Sequence, residues 1–301
     1  MDADKYLKEV LEAQTLAEDS DEIKALQKRR AEVEKLLRAE FKDSNPRIRY
    51  AGSKSKGTMI AESYDLDLTC YFANDDTSAG ESLKDIYNNV KKALEKKYKV
   101  SPKNTALRLL GLDQDVHGQD FHIDIVPGRF TDADEKDVFL HQEDAQKERL
   151  KTNLDVHVSH VKDSGYTDAI RLLKLWRERN DANIKTFVLE LLIIDILSAK
   201  SLTRFSSQLT YVWEQFRDKS DQLTVKDPAN PEGNDLSKLL TNEVRNTLKR
   251  VATDTLETID KQGWEAVFGK PKEGKTAAST EALIAAVTSR QAAGAMKPWA
   301  P

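Results

Sequence analysis

The chain has 301 residues, of which 39% are hydrophobic and 33% are charged, and its formal net charge is −4 at pH 7. The hydrophobic fraction excludes a disordered protein, and the length allows a sizeable core in one large domain or two smaller ones. The acidic balance excludes the strongly basic domain that is typical of proteins that bind long nucleic acids, although a local basic groove stays compatible with it.

The cysteine count and the apolar runs bear on the cellular compartment. Cys70 is the only cysteine, so the chain forms no intrachain disulfide, and we interpret Cys70 as a small core residue. The N-terminus lacks the apolar stretch of a signal peptide. The longest apolar run, 187–196, is interrupted by Glu190 and Asp195 and is too short to span a bilayer. We therefore expect a cytoplasmic protein without membrane attachment.

The N-terminal half mixes helical and strand patterns. Apolar residues at near-helical spacing predict one helix over residues 5–42, after which Pro46 begins an extended segment. Strands are predicted at 64–72, 104–110 and 119–127, and a helix at about 83–98 lies between the first two. This order is typical of an α+β unit built on a small sheet.

The C-terminal half is predicted to be helical. Helices are expected at 166–179, 184–199, 202–217, 237–260 and 279–292, and a loop rich in proline, asparagine and aspartate is expected at 221–236. The chain is therefore predicted to form a mixed lobe over residues 1–165, which includes the N-terminal helices, and a helical lobe over residues 166–301.

Asp65 and Asp67 are the first candidates for chemistry. They alternate with apolar residues on a predicted strand, so both carboxylates point to the same half-buried face, with Cα atoms about 6.5 Å apart. Unpaired carboxylates are costly to bury, and carboxylates suit Mg²⁺, so we expect a cation at this face. Two further Asp-x-Asp pairs lack such a context and are interpreted as charged loops: Asp113/Asp115 and Asp132/Asp134.

Two other segments extend this candidate site. Gly52-Ser53 forms a turn twelve residues before Asp65, which can offer N–H groups and a hydroxyl to phosphate oxygens, or can be an ordinary glycine turn. A P-loop is excluded because Thr58 stands where that motif requires lysine. Downstream, alternation on the third strand puts Asp124 and His122 on the face opposite the core. Asp124 completes a set of three carboxylates if its strand neighbours that of Asp67, and His122 is interpreted as a sheet-face neighbour.

The Gly-Ser turn, the paired aspartates and the later single aspartate resemble the pattern of the DNA polymerase β-like nucleotidyltransferase superfamily. In the helical half, residues 170–176 (IRLLKLW) and 185–192 (KTFVLELL) resemble a stretch shared by oligoadenylate synthetases and cyclic GMP-AMP synthase. Residues 227–231 (DPANP) resemble a loop of the oligoadenylate synthetases. Over about residues 45–235 the chain is most similar to the bacterial cGAS/DncV-like nucleotidyltransferases, known as CD-NTases.

This resemblance implies an α+β fold with a polymerase β-like core, a helical C-terminal lobe and an active site in the cleft between them. It implies that Asp65, Asp67 and Asp124 are catalytic and hold two Mg²⁺ ions, for which Mn²⁺ can substitute. It implies nucleotide contacts from the following residues: Gly52, Ser53, Lys174, Thr186 and Phe187. Lys174 and Phe187 also have plain structural interpretations, as a solvated lysine and as a core aromatic. Glu190 is predicted to pair with a neighbouring cation.

The resemblance further implies an enzyme that joins nucleoside triphosphates, ATP among them, into a cyclic di- or trinucleotide second messenger and releases pyrophosphate, in antiphage defence. One cysteine cannot build the zinc-binding insertion of animal cyclic GMP-AMP synthase, and the lysines at 91–97 are interpreted as a solvated helix face. We therefore expect a monomer that is active alone or with a regulatory protein partner and that does not sense long nucleic acid.

Two alternatives to cyclic-oligonucleotide synthesis stay open. The first is synthesis of linear oligoadenylate, or transfer to an RNA end or a small acceptor. The second is an inactive nucleotide-binding scaffold, which the complete set of three aspartates disfavours. The base specificity, ring size and linkage of a product do not follow from the residues.

Overall fold

A computed structural model describes residues 2–110, 122–143 and 149–271. The first part of the chain contains both helices and strands: α1 (Ala3–Ala13), α2 (Asp21–Glu40), β1 (Arg47–Tyr50), α3 (Gly52–Lys56), β2 (Leu66–Phe72), α4 (Leu83–Glu95), β3 (Lys99–Pro102), β4 (Leu107–Leu110), β5 (Ile123–Phe130), β6 (Val138–His141) and β7 (Arg149–Thr152). Helices follow: α5 (Leu154–Lys162), α6 (Thr167–Arg179), α7 (Thr186–Ser198), α8 (Phe205–Lys219), α9 (Asn242–Gln262) and α10 (Glu265–Phe268), with 3₁₀ turns at Ser220–Gln222 and Leu236–Leu239.

The strands form one mixed sheet in the order β1-β2-β5-β4-β3, and β6 joins β5 to β7. The central pair β2 and β5 runs parallel, whereas the other pairs are antiparallel. Inward-facing residues of β2 and β5 form one hydrophobic core with apolar residues of α2 and α4, and Cys70 is fully buried in it. The predicted α+β class and the burial of Cys70 are thus confirmed.

The prediction of one helix over residues 5–42 is wrong, because the structure has two helices, α1 and α2, separated by a turn. The turn ends at Ser20, whose hydroxyl accepts a hydrogen bond from the backbone N–H of Ile23 and so begins α2. The chain before it is held by Gln14, whose carbonyl oxygen and side chain bond to Ala61 and Glu62. Local capping and a long-range contact therefore override the helical spacing.

Several short elements are absent from the sequence prediction. Strands β3, β6 and β7 have four residues each, and β3 and β7 carry charged residues at exposed positions. Helix α5 (LDVHVSHVK) has alternating apolar residues, which hide its helical period. Four predicted helices are confirmed within a few residues as α6, α7, α8 and α9. The helix predicted at 279–292 lies outside the described residues, as do Asp113 and Asp115.

A second hydrophobic core is built mainly from helices α6 to α10, and we call this part of the molecule the helical half. Its core also includes Tyr6, Leu7, Val10 and Leu11 of α1 and the fully buried Ile60 from the loop before β2. The packing of α1 thus crosses the predicted boundary at residue 165, and the division of the chain into two lobes at that point stays a prediction. In the three described stretches every helix is too short or too polar to span a membrane.

Candidate active site

Asp67 and Asp124 lie side by side on the two central strands. In the parallel register of β2 and β5, Asp67 is the partner of Asp124, and their neighbours Leu66, Leu68 and Ile123 are fully buried. Since side chains alternate along a strand, the two carboxylates share the face opposite the core. The adjacency on which the candidacy of Asp124 depends is therefore confirmed.

Asp65 directly precedes β2 rather than lying within it, because the ladder begins at Leu66, whose N–H donates to the carbonyl of His122. Burial raises the pKa of the Asp65 carboxyl, and the Asp124 carboxylate adds to this rise while His122 opposes it. His122 is thus an electrostatic neighbour of the carboxylates, in agreement with its interpretation as a sheet-face residue.

The carboxyl group of Asp67 is more deeply buried than that of Asp65. Burial, followed by repulsion from Asp65 and Asp124, raises the pKa of Asp67 to about 6, while Lys56 and Lys174 pull it downward. A cation bound here would offset the repulsion between these carboxylates and would stabilise the ionised form of Asp67. The electrostatics of the three aspartates therefore favour a bound positive charge.

Arg108 holds Asp124 and was not found from the sequence. It is the partner of Asp124 across β4 and β5, and its Nε and Nη2 atoms donate to the two carboxylate oxygens at 2.8 and 2.7 Å. Two parallel bonds of this kind fix the carboxylate in direction as well as position. The alternation of Leu107, Arg108 and Leu109 was the available signal, but the pairing of β4 with β5 could not be read from it.

We expect Arg108→Gln to lower kcat about tenfold with little change in KM for nucleotide, because Asp124 would lose the two bonds that orient it. Arg108→Lys should restore little of the loss, since an ammonium cannot make the paired contact. Initial rates per folded protein, with folding checked by circular dichroism, measure both variants. A lysine variant with the wild-type rate would show that only the charge of Arg108 matters.

The predicted Gly-Ser turn is the start of the short helix α3, and it lies directly against Asp67. Gly52 has a φ of +55°, and a Cβ atom placed on it would lie 1.6 Å from Asp67 Oδ2. Glycine is thus required twice, by the left-handed backbone and by the approach of the carboxylate. Ser53 follows on the same helix and is half-buried, so the structure brings the predicted phosphate-contacting turn to the aspartates.

Lys174 does not extend freely into solvent. It is buried, and its Nζ donates to the carbonyl oxygen of Thr58 at 2.7 Å. Desolvation lowers the pKa of Lys174 to about 8 against the opposing effect of Glu190. The alternative of a solvated lysine is therefore wrong, and its predicted contact with the triphosphate stays a prediction. Glu190 is fully buried and pairs with Lys56, which confirms that it has a cationic partner.

Thr186 and Phe187 begin helix α7, and both are half-buried. The Phe187 ring centroid lies 4.8 Å from that of His157 in α5 and 4.8 Å from Lys56 Nζ. His157 is anchored in turn, since its Nε2 lies 2.6 Å from Oδ1 of the buried Asp227. Sequence reasoning missed His157 because α5 was not predicted. The predicted stacking residue is thus part of an aromatic pair at the edge of the site.

The side chains present suit Mg²⁺ better than a metal with a closed protein cage. Among the described residues, no group of three or more His, Cys, Asp or Glu side chains is arranged so that the protein alone could hold a metal ion. Magnesium keeps several water ligands and binds through one or two carboxylates together with substrate phosphates. Asp65 and Asp67, with raised pKa values beside Asp124, provide that kind of incomplete oxygen site.

Comparison with solved structures identifies the fold. CdnG of Bradyrhizobium diazoefficiens, a CD-NTase in complex with GTP, has a TM-score of 0.67 at 16% identity, over 95% of this chain and 98% of that chain. CdnC of E. coli MS115-1 with ATP has a TM-score of 0.66 at 17% identity, over 89% and 98%. The cyclic AMP-GMP synthase DncV of Vibrio cholerae, in complex with a linear intermediate, has a TM-score of 0.60 at 15% identity, over 91% and 87%.

These similarities show that the chain has the fold of the cGAS/DncV-like CD-NTases, with its polymerase β-like core, and confirm the resemblance on which the sequence prediction rested. No family model matches the sequence, and the comparison with curated proteins finds no match.

Proposed function

We propose that the protein is a magnesium-dependent nucleotidyltransferase that condenses nucleoside triphosphates, ATP among them, into a cyclic di- or trinucleotide and releases pyrophosphate. The observation that carries the proposal is the parallel register of Asp67 and Asp124, with Asp65 and Gly52 beside them. It is supported by a fold shared with solved structures that bind ATP and GTP, one of them a cyclic AMP-GMP synthase.

The three aspartates are the proposed ligands of two Mg²⁺ ions, which Mn²⁺ can replace. When bound, the metal would neutralise charge on the phosphates and on the leaving pyrophosphate. Asp67 lies directly against Gly52, and Asp65 and Asp67 are the proposed ligands of the metal that would hold the substrate phosphates. Asp124, fixed by Arg108, completes the set and is the proposed acceptor of the proton from the attacking hydroxyl.

The proposed nucleotide contacts are the residues that the family resemblance implies. Gly52 and Ser53 are the proposed contacts of the triphosphate from the sheet side of the cleft, and Lys174 and Thr186 from the helical half. Phe187 is the proposed stacking partner of a base. Such stacking would not by itself select one base over another, because every base has an aromatic face. Catalysis then consists chiefly of holding the hydroxyl and the α-phosphate in line in a charged, partly buried cleft.

The biological setting is proposed on the fold alone. We propose a cytoplasmic monomer that acts in antiphage defence, alone or with a regulatory protein partner. Synthesis of linear oligoadenylate, or transfer to an RNA end or small acceptor, is the second candidate, since the same carboxylates would serve it equally well. Product structure separates the two.

The test is incubation of the protein with ATP, GTP, CTP and UTP in Mg²⁺, without an acceptor. We expect an oligonucleotide that resists phosphatase and whose mass equals the summed nucleotide monophosphates minus one water per bond formed, including the ring closure. The double variant Asp65→Asn/Asp67→Asn should make none, and an EDTA-treated sample should be inactive until Mg²⁺ is restored. A phosphatase-sensitive product would favour the second candidate, as would labelling of tRNA alone in a parallel reaction to which tRNA is added.

A further inference from the structure

Glu190 is a charged residue inside an otherwise apolar stretch of α7. Its side chain is fully buried, whereas Asp195 on the same helix is exposed. Both carboxylate oxygens have partners, because Oε2 accepts from Lys56 Nζ and Oε1 accepts from Thr58 Oγ1 at 2.7 Å. A buried carboxylate is tolerated only when it is paired and hydrogen-bonded in this way. The Glu190 carboxylate is therefore held in place by both of its oxygen atoms.

Thr58 transmits this contact to a second helix. Its side chain is fully buried, and while its hydroxyl donates to Glu190, its carbonyl oxygen accepts from Lys174 of α6 at 2.7 Å. Two helices of the helical half thus hold Thr58, which lies two residues after the end of α3. Helix α3 begins at Gly52, which lies against Asp67, so the side chains of Lys56, Thr58, Lys174 and Glu190 connect the helical half to the aspartates.

Lys56 and Lys174 lie between Glu190 and the aspartates. Lys56 pairs with Glu190, and both buried lysines also interact electrostatically with Asp67. Two ammonium groups at this place are suited to bind a phosphate chain that arrives beside the aspartates together with a cation.

We propose that Glu190 is a positioning residue of the nucleotide site: its buried carboxylate fixes Lys56 directly and Lys174 through Thr58, so that both ammonium groups and the Gly52–Thr58 segment are held ready for the polyphosphate of the substrate. This inference rests on the proposed function and deepens it. Glu190 does not touch the substrate. It acts through the two lysines. If these lysines were flexible, ordering them would cost binding free energy, and the polyphosphate would bind more weakly.

The test compares Glu190→Gln with the wild-type protein in calorimetric titrations with inorganic tripolyphosphate and Mg²⁺. Glutamine keeps the size and one acceptor of the side chain but loses the charge that holds Lys56. We expect the variant to bind tripolyphosphate about tenfold more weakly, and KM for nucleoside triphosphate to rise by a similar factor while kcat changes less. Glu190→Asp, which keeps the charge, should recover part of the affinity. Asp195→Asn removes a carboxylate from the same helix and should leave affinity and turnover unchanged.

Unchanged or tighter binding by Glu190→Gln would overturn the proposal, since Glu190 would then only weaken the attraction of the lysines for anions. A loss of kcat and thermal stability with unchanged KM would overturn it in favour of a packing role. If Glu190→Gln does not fold, Thr58→Val is the second variant. It removes the hydrogen bond from the Thr58 hydroxyl to Glu190 with little change of shape, and it should also weaken tripolyphosphate binding. Wild-type protein that binds tripolyphosphate but makes no product would contradict the proposed function while leaving this test intact.

Discussion

Replacing Asp67 with asparagine is expected to abolish nucleotidyl transfer while making the metal-free protein more stable. The loss of activity should be at least about a thousandfold, because a metal ligand beside the phosphates contributes several kcal/mol to the transition state. The gain in stability follows from burial and from the two neighbouring carboxylates, which together raise the pKa of Asp67 from 3.8 to about 6 in the folded state. The same residue thus opposes folding and supports catalysis.

The sign of this effect depends on pH. A folded-state pKa above the unfolded value means that the folded protein retains a proton that the unfolded chain has already lost. Relative to Asp67→Asn, the free energy of unfolding of the wild type should therefore fall as the pH rises from about 4 to about 6, and the deficit should be complete above that range. We expect it to reach about 1 to 3 kcal/mol, since one pKa unit corresponds to about 1.4 kcal/mol.

Urea unfolding in EDTA at pH 4 and pH 7.5 measures the difference, and addition of Mg²⁺ at pH 7.5 should stabilise the wild type but not Asp67→Asn. Asp134→Asn is the matched control, because Asp134 belongs to another Asp-x-Asp pair and its side chain is exposed on a turn. It should leave activity, stability and the response to Mg²⁺ unchanged. An Asp67→Asn protein that turns over nucleotide at the wild-type rate would contradict the assignment of the site.

Gly52→Ala is expected to inactivate the protein through a single methyl group. The new Cβ atom would overlap Asp67 Oδ2 at 1.6 Å and its Cγ at 2.6 Å, so either the carboxylate or the start of α3 must move. The left-handed backbone at φ +55° adds about 1 to 2 kcal/mol of strain. Since misplacement of a reacting group by about 1 Å can cost a hundredfold, we expect a loss of about that size or more in kcat/KM.

Gly57→Ala separates the effect of backbone strain from the effect of overlap with Asp67. Gly57 ends the same helix with a φ of +73°, but a Cβ atom there would meet nothing within 4 Å. This variant should lose stability by a comparable amount through backbone strain but should lose much less activity than Gly52→Ala, because its Cβ atom contacts no carboxylate. Steady-state rates and thermal melts of both variants decide the point. Equal inactivation of the two would mean that strain in α3, rather than contact with Asp67, explains the effect.

The sequence allowed prediction of which carboxylates share one face of the sheet better than of the frame that holds them. Asp67 and Asp124 could be assigned to one face because strand alternation is local, and the family pattern supplied their adjacency. Arg108 and His157 could not be found in this way, since each acts through a partner on another strand or loop, respectively Asp124 and Asp227. Contacts of this kind depend on strand pairing and helix packing, which periodicity does not encode.

The errors in secondary structure have a similar physical origin. Helix α1 was merged with α2 because their spacing is continuous, although the turn between them is fixed by Ser20 and by the distant contacts of Gln14. The short strands β3, β6 and β7 owe their existence to hydrogen bonds with neighbouring strands rather than to a clear pattern of their own. By contrast, α6 to α9 each bury a wide apolar face, and such faces are visible in the sequence.

The place of α1 and Ile60 in the helical core has a consequence for exchanging parts between related proteins. The chain contributes to that core at three separated positions: at α1, at the loop before β2, and from the end of α5 onward. A chimera that takes only the residues after 165 from a relative would join a foreign helical bundle to a native α1, a native Ile60 and a native Val161. The transplant should succeed only when residues 3–13, 58–62 and 154–165 travel with the bundle as one discontinuous unit.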